Sequence, residues 1–179
     1  TVTDASVWVS RFLNDDAFHV ASLTWLTRMI REERPLVAPA SMLAEVAGTI
    51  TRRTGTTRLG YEVVQRIRRA PSLQLVAIDA DLGNYAAEIA SSCRLRGADA
   101  MYVAVAQRLQ LPLVSWDREQ IERATGLIMH RRQNEHALND GEGAFKVLAW
   151  SAVVAMALHY LEAELLPETR FLDDHTGAT

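Results

Sequence analysis

Short, nearly continuous apolar runs alternate along this chain with longer segments whose apolar residues fall three and four positions apart. The first rhythm predicts buried strands and the second predicts helices with one face in a core. Val2 to Asp4 opens as a strand, and Ser6 is placed to cap a helix from Val7 to Leu13. Between Ala17 and Glu33, the residues Val20, Leu23, Trp25, Leu26, Met29 and Ile30 mark a second helix. Pro35 to Ala38 reads as a strand, and Pro39 stands where the next helix would begin. That helix runs to about Arg53 with Leu43, Val46, Ala47 and Ile50 on its buried side. A loop over Thr54 to Thr57 leads to a helix that ends before Pro71. Leu73 to Ile78 is the third strand, and Asp79 caps a helix through Leu95 that Gly97 breaks. Asp99 to Leu109 is helical, with Tyr102, Val105, Ala106 and Leu109 inward. Leu111 to Ser115 forms a fourth strand, Asp117 to Ala124 a short helix, and Leu127 to Met129 a fifth strand.

Strands that alternate with helices predict a parallel α/β sheet covered on both faces. In such sheets ligands bind outside the carboxyl ends of the strands. Asp4 and Asp117 lie at two of those ends. The pattern changes after residue 129. Residues 130–143 are polar and read as a connection, and Ala144 to Leu166 reads as one helix, apolar almost all round between Val147 and Leu158. Such a helix is buried on more than one side, against its own domain or across an oligomer interface. Its apolar run, broken by Ser151, is short for a bilayer span, which takes about 20 residues. The expected organisation is therefore one domain over 1–129 and a linker with a helical extension over 130–179.

Composition narrows this picture only in places. The 179 residues suffice for a single core. A lone cysteine, Cys93, allows no disulfide framework and suits a reducing cytoplasm. The few residues before Asp4 predict no charged and then apolar leader. A net charge of −3 does not advertise nucleic-acid binding, but its distribution says more. Lys146 is the only lysine, and Arg52, Arg53, Arg58, Arg66, Arg68 and Arg69 share a stretch whose sole acid is Glu62. The planar guanidinium suits phosphate. That stripe reads equally as an RNA-facing rim and as a solvated helical face.

Four acids carry the candidate chemistry: Asp4, Glu45, Asp99 and Asp117, each beside an apolar run at the end or start of an element. Converging carboxylates repel one another, and their pKa values climb unless a cation neutralises them. Mg²⁺ resolves that conflict with one or two carboxylates, water and phosphate oxygens. Taken singly, three of the acids have a structural alternative. Asp4 and Asp99 each suit the start of a helix, and Asp117 with Gln120 three residues on resembles a capping box. Glu45 is different, since it sits inside an apolar helix, where an unpaired carboxylate is costly.

With the segments VTDAS, VAPASMLAEVA and GADAMYVAVAQRLQLPLVSWD, the chain resembles the PIN-domain nucleases, most closely the VapC-type toxins of toxin–antitoxin pairs. The resemblance covers roughly Val2 to Met129. It implies a three-layer α/β/α sandwich with a short parallel sheet. It also implies that Asp4, Glu45, Asp99 and Asp117 hold one or two Mg²⁺ or Mn²⁺ ions that activate water to cut RNA. Ser6 and Ser115 lie where the family often has a hydroxyl that supports the acidic cluster. Partners implied are an RNA substrate, a cognate antitoxin and a second copy of the chain. The extension past residue 129 departs from the family pattern.

Other chemistries fit less well. His19, His130, His136, His159 and His175 lie outside the acidic segments, and no cysteine accompanies His130 and His136 to make a zinc site. No P-loop or dinucleotide fingerprint is present. Phosphotransfer to aspartate would want a second Asp where Ser6 stands, or a lysine after a late strand and before Lys146. The remaining alternatives are a PIN nuclease of RNA processing that is no toxin, and a non-catalytic PIN-like binding module.

Overall fold

The computed structural model describes residues 1–125. The expected fifth strand, the linker and the C-terminal helix lie outside the described residues. Four strands form one sheet: β1 (Val2–Thr3), β2 (Leu36–Pro39), β3 (Leu73–Val76) and β4 (Leu113–Val114). Every neighbouring pair is parallel, in the order β3-β2-β1-β4. Val2 faces Val37 on one side and Leu113 on the other, so β1 is central. The chain steps outward from β1 through β2 to β3, then returns to lay β4 on the opposite side of β1. The strand order therefore reverses between β1 and β4, the place where open parallel sheets gather ligands.

Val2, Leu36, Val37, Ala38, Leu113 and Val114 are all buried. A parallel sheet covered on both faces needs continuous apolar strands, so these runs show no alternation. The exception is β3, an edge strand whose Gln74 and Leu75 are exposed. It stops at Val76, short of the expected end, and leaves Ile78 exposed.

Six helices complete the described elements: α1 (Ala5–Phe12), α2 (His19–Arg31), α3 (Met42–Thr54), α4 (Thr57–Arg68), α5 (Ala80–Cys93) and α6 (Gly97–Arg108). A further helix starts at 118 and runs to the limit of the described residues. Helix α6 packs against β1, β2 and β4, and α5 lies on α6. Its central position explains why Tyr102 to Gln107 are all buried, not one face alone. Leu109, expected inward, is exposed because it caps the helix end beyond the sheet.

Three helix boundaries differ from expectation for local reasons. Asp4, not Ser6, caps α1, through an extended backbone and a bond from the Ser6 N–H. Pro39 ends β2 instead of opening α3, since its fixed φ suits extended backbone as well as a helix start. Gly97 begins α6 and breaks nothing; the interruption is Arg94, whose left-handed φ of 55° closes α5.

Helices α3 and α4 form a hairpin that packs on the rest of the domain through α1. Gly55 closes α3 in the left-handed region, with φ 69°. Gly60 allows the two helices to touch: a Cβ there would lie 2.7 Å from the Ala47 carbonyl oxygen and 2.3 Å from Thr51 Oγ1.

Candidate active site

The four acids reach one end of the sheet from four different elements. Asp4 follows β1 directly and is buried, with 6% of its surface exposed. Its N–H bonds the Val114 carbonyl at 3.0 Å, so the turn out of β1 is held on β4. Asp117 follows β4, and its Oδ1 accepts the Gln120 N–H at 3.0 Å. Glu45 lies in the first turn of α3, just after β2, and Asp99 in the first turn of α6. The charge of Asp117 acts on Asp4, that of Asp4 on Glu45, and those of Asp117, Asp4 and Glu45 on Asp99.

Two serines tie the ends of β1 and β4 together. Ser6 Oγ lies 3.5 Å from Ser115 Oγ and accepts the Trp116 N–H at 3.0 Å. Ser115 Oγ in turn accepts the Asp117 N–H at 2.9 Å. Each hydroxyl therefore fixes backbone beside an acid. Trp116 anchors the same segment, stacking on Phe18 at 4.5 Å and donating its indole N–H to Ser22 at 2.7 Å.

The capping alternatives divide. Asp4 and Asp117 do cap, each committing one oxygen to a backbone N–H. Asp99 does not: the residue before α6 is Arg96, and Asp99 is the third residue inside the helix. The capping box at Asp117 is half formed, because the Gln120 side chain turns elsewhere. Its Nε2 donates to the Asp99 carbonyl oxygen at 3.1 Å. Gln120 is fully buried and so links the Asp117 turn to the start of α6.

Burial dominates the electrostatics. It pushes the Asp4 carboxyl up, a rise that bonds from Ser6 partly offset and that the charge of Asp117 increases. Glu45 is raised chiefly by burial; the bond from Tyr102 works against the rise and the charge of Asp4 adds to it. Asp99 is raised to about 6 by burial first, then by Asp117 and Asp4, with Arg96 opposing. A cluster that resists its own ionisation is a place where a cation is stabilised. The donors are carboxylate and hydroxyl oxygens, the set that hard divalent ions prefer. Among the described residues no group of three His, Cys, Asp or Glu side chains is gathered tightly enough to hold an ion unaided. Mg²⁺ takes only one or two carboxylates and completes its shell with water and phosphate oxygens.

Two buried partners of the acids were not legible as such in the chain. Tyr102, fully buried on α6, donates its hydroxyl to Glu45 Oε1 at 3.1 Å. The signal for it was a hydroxyl on an otherwise apolar helix one turn after Asp99. Gln120 gave no signal beyond its capping-box spacing.

The arginine stripe is spread over the α3–α4 hairpin. Arg52, Arg66, Arg68 and Arg69 are exposed, and Arg52 donates to Thr49 Oγ1 at 2.9 Å. Arg53 is engaged elsewhere, bonded to Asp16 at 2.5 Å and to Asp15 at 3.4 Å. Arg58 pairs with Glu62 at 3.0 Å. Tyr61 stands among them with 65% of its surface exposed.

The PIN domain family matches residues 1–126. Among solved structures, the chain is similar to Mycobacterium tuberculosis VapC20, a sarcin–ricin loop cleaving toxin. The TM-score is 0.56 at 21% identity, over 66% of this chain and 91% of that one. A likeness at that identity speaks for the fold. No curated protein matches the chain.

Proposed function

The chain belongs to the PIN-domain family, and from that premise we propose that it is a divalent-metal-dependent endoribonuclease, the toxin of a toxin–antitoxin pair. The observation that carries the reading is the placement of four acids at the end of the sheet where strand order reverses, with burial and the charge of neighbouring acids raising three of them. Asp4, Glu45, Asp99 and Asp117 are the residues that would hold Mg²⁺ or Mn²⁺. A bound ion of this kind polarises a phosphate and lowers the pKa of its water, which supplies the nucleophile for phosphodiester hydrolysis.

The remaining work belongs to the chain. Ser6 and Ser115 keep the Asp4 and Asp117 turns in register. Gln120 sets the start of α6 against the Asp117 turn, and with it the spacing of Asp99 and Asp117. Asp99, raised to about 6, retains a proton on its carboxyl more readily than an ordinary aspartate, and a bound cation would favour its ionised form.

RNA phosphates would meet Arg52, Arg66, Arg68 and Arg69 on the hairpin, while Arg53 supports that surface from its ion pairs with Asp15 and Asp16. The similarity to a sarcin–ricin loop cleaving toxin supports structured RNA as the substrate class, and the toxin reading carries with it a cognate antitoxin as partner. A homodimer is the assembly we favour, because the apolar segment from Val147 to Leu158 requires a covering surface and two-fold dimers are the commonest soluble oligomers. The lone cysteine suits the cytoplasm.

The test is direct. Purified full-length protein should cut RNA with Mg²⁺ or Mn²⁺, stop in excess EDTA and recover when Mg²⁺ is restored. Full cleavage in EDTA would rule the reading out, and so would undiminished cleavage by Asp99→Asn.

A further inference from the structure

We propose that Tyr102 is a positioning residue for the metal-dependent reaction, its buried hydroxyl holding Glu45 in the orientation that meets the cation. The inference rests on the nuclease reading above and adds to it a residue that touches neither metal nor RNA. Tyr102 Oη donates to Glu45 Oε1 at 3.1 Å across 57 residues of chain.

One hydroxyl thus joins two elements that each deliver an acid. Asp99 precedes Tyr102 by one turn of α6, and Glu45 belongs to α3. Residues three apart share a helix face, so α6 presents Asp99 and Tyr102 on the same side. Gln120 extends the tie from Asp99 to the fourth acid, Asp117.

Core packing alone does not account for the hydroxyl. Tyr102 is fully buried, and a phenylalanine ring would fill the space without a polar atom to satisfy. Fixing one oxygen of a ligating carboxylate leaves the other oriented for a cation before it arrives. Partners of that kind, acting on a ligand and not on the metal, commonly alter metal affinity by about 10–100-fold.

The experiment uses the full chain and the variant Tyr102→Phe. Mn²⁺ binding is measured by calorimetry without RNA, RNA cleavage is titrated with Mg²⁺, and thermal melting is followed in EDTA. Mn²⁺ binding should weaken by about tenfold, with the half-saturating Mg²⁺ rising by a similar factor. Cleavage at saturating Mg²⁺ should return to within a few-fold of the parent, and the melt in EDTA should stay close to the parent curve. In a Glu45→Gln background the same substitution should produce no further loss of Mn²⁺ affinity, since the hydroxyl acts through Glu45. Unchanged Mn²⁺ affinity in Tyr102→Phe would overturn the proposal and leave the nuclease reading standing. An equal loss in both backgrounds would also overturn it, by assigning the hydroxyl to the fold in general. A parent protein that binds no Mn²⁺ would instead bring down the nuclease reading, and this proposal with it.

Discussion

The acidic end of the sheet and the α3–α4 hairpin are built on opposite electrostatic terms. At the sheet end, like charges are brought together under burial and held by bonds from Ser6, Tyr102 and Gln120. On the hairpin, Arg52, Arg66, Arg68 and Arg69 stand in solvent, and the Arg58–Glu62 pair is exposed. The first region spends stability to create a site, whereas the second carries charge with little penalty, because water screens it. Substitutions in the two regions should therefore fail in different ways, function without stability in one and affinity or packing in the other.

The largest effect should come from the acids. Asp99→Asn is expected to lower Mg²⁺-dependent RNA cleavage by on the order of 10³-fold, the scale at which single charge-stabilising groups act. Asp4→Asn and Glu45→Gln should behave alike. The same Asp99→Asn protein, free of metal, should be more stable at neutral pH by about 1 kcal/mol once solvent screening is allowed for. The sign follows from the raised carboxyl. With Asp99 at about 6 when folded and near the ordinary aspartate value when unfolded, the folded state binds more protons between those limits. Metal-free parent protein should accordingly lose stability as pH rises through about 4 to 6, and the loss should shrink in Asp99→Asn. Melting curves in EDTA across that range check both points, and a parent stability that rises over the window would contradict the assignment of burial as the cause.

The next effect lies on the hairpin and is structural. Gly60→Ala places a methyl 2.7 Å from the Ala47 carbonyl, so α3 and α4 must separate. Overpacking of this kind costs about 1–3 kcal/mol. Urea denaturation should register that loss, and metal binding at the acids should be much less affected. A loss of Mn²⁺ binding as large as that of Asp99→Asn would show that the two regions are not separable.

Replacing Arg66, Arg68 and Arg69 together by Ala should weaken RNA binding by about tenfold and reduce the salt dependence by roughly 0.7–0.9 in slope for each phosphate that is no longer neutralised. Stability should stay within about 0.5 kcal/mol, as for surface substitutions in general. Binding isotherms at several salt concentrations decide the matter; an unaltered slope would return these arginines to plain solvated surface.

The smallest effect is expected where the acidic end is tied but not charged. Gln120→Leu removes the bond to the Asp99 carbonyl, and with it a side-chain oxygen that is buried without a partner among the described residues. The two changes offset, so stability should shift by less than about 1 kcal/mol. Cleavage should fall several-fold as Asp99 and Asp117 lose their fixed spacing. Cleavage equal to the parent would mean that packing alone keeps that distance.

Much of this was written along the chain. Continuous apolar runs announced a covered parallel sheet, and acids at their ends announced where a charged site would form. Glu45 stood out because its neighbours Leu43, Val46 and Ala47 are apolar. Local patterns also misled: Gly97 looked like a stop and begins a helix, while Gln120 looked like half of a cap and reaches across to Asp99. A short-range pattern states what a residue is able to do, and its neighbours in space select among the options.

What the sequence by itself determined was the periodicity of the elements and the residue types at their ends, since both are properties of neighbours along the chain. Only the tertiary structure decided that β4 returns to lie beside β1, which sets the Asp117 turn against Asp4 across 113 residues of chain. Only it decided that Tyr102 reaches Glu45 and that three carboxyls are raised by burial. The physical reason is range. Helix and strand periods are set within a few residues, whereas burial, repulsion between carboxylates and a hydrogen bond from a distant hydroxyl exist only when remote segments come within a few ångströms of one another.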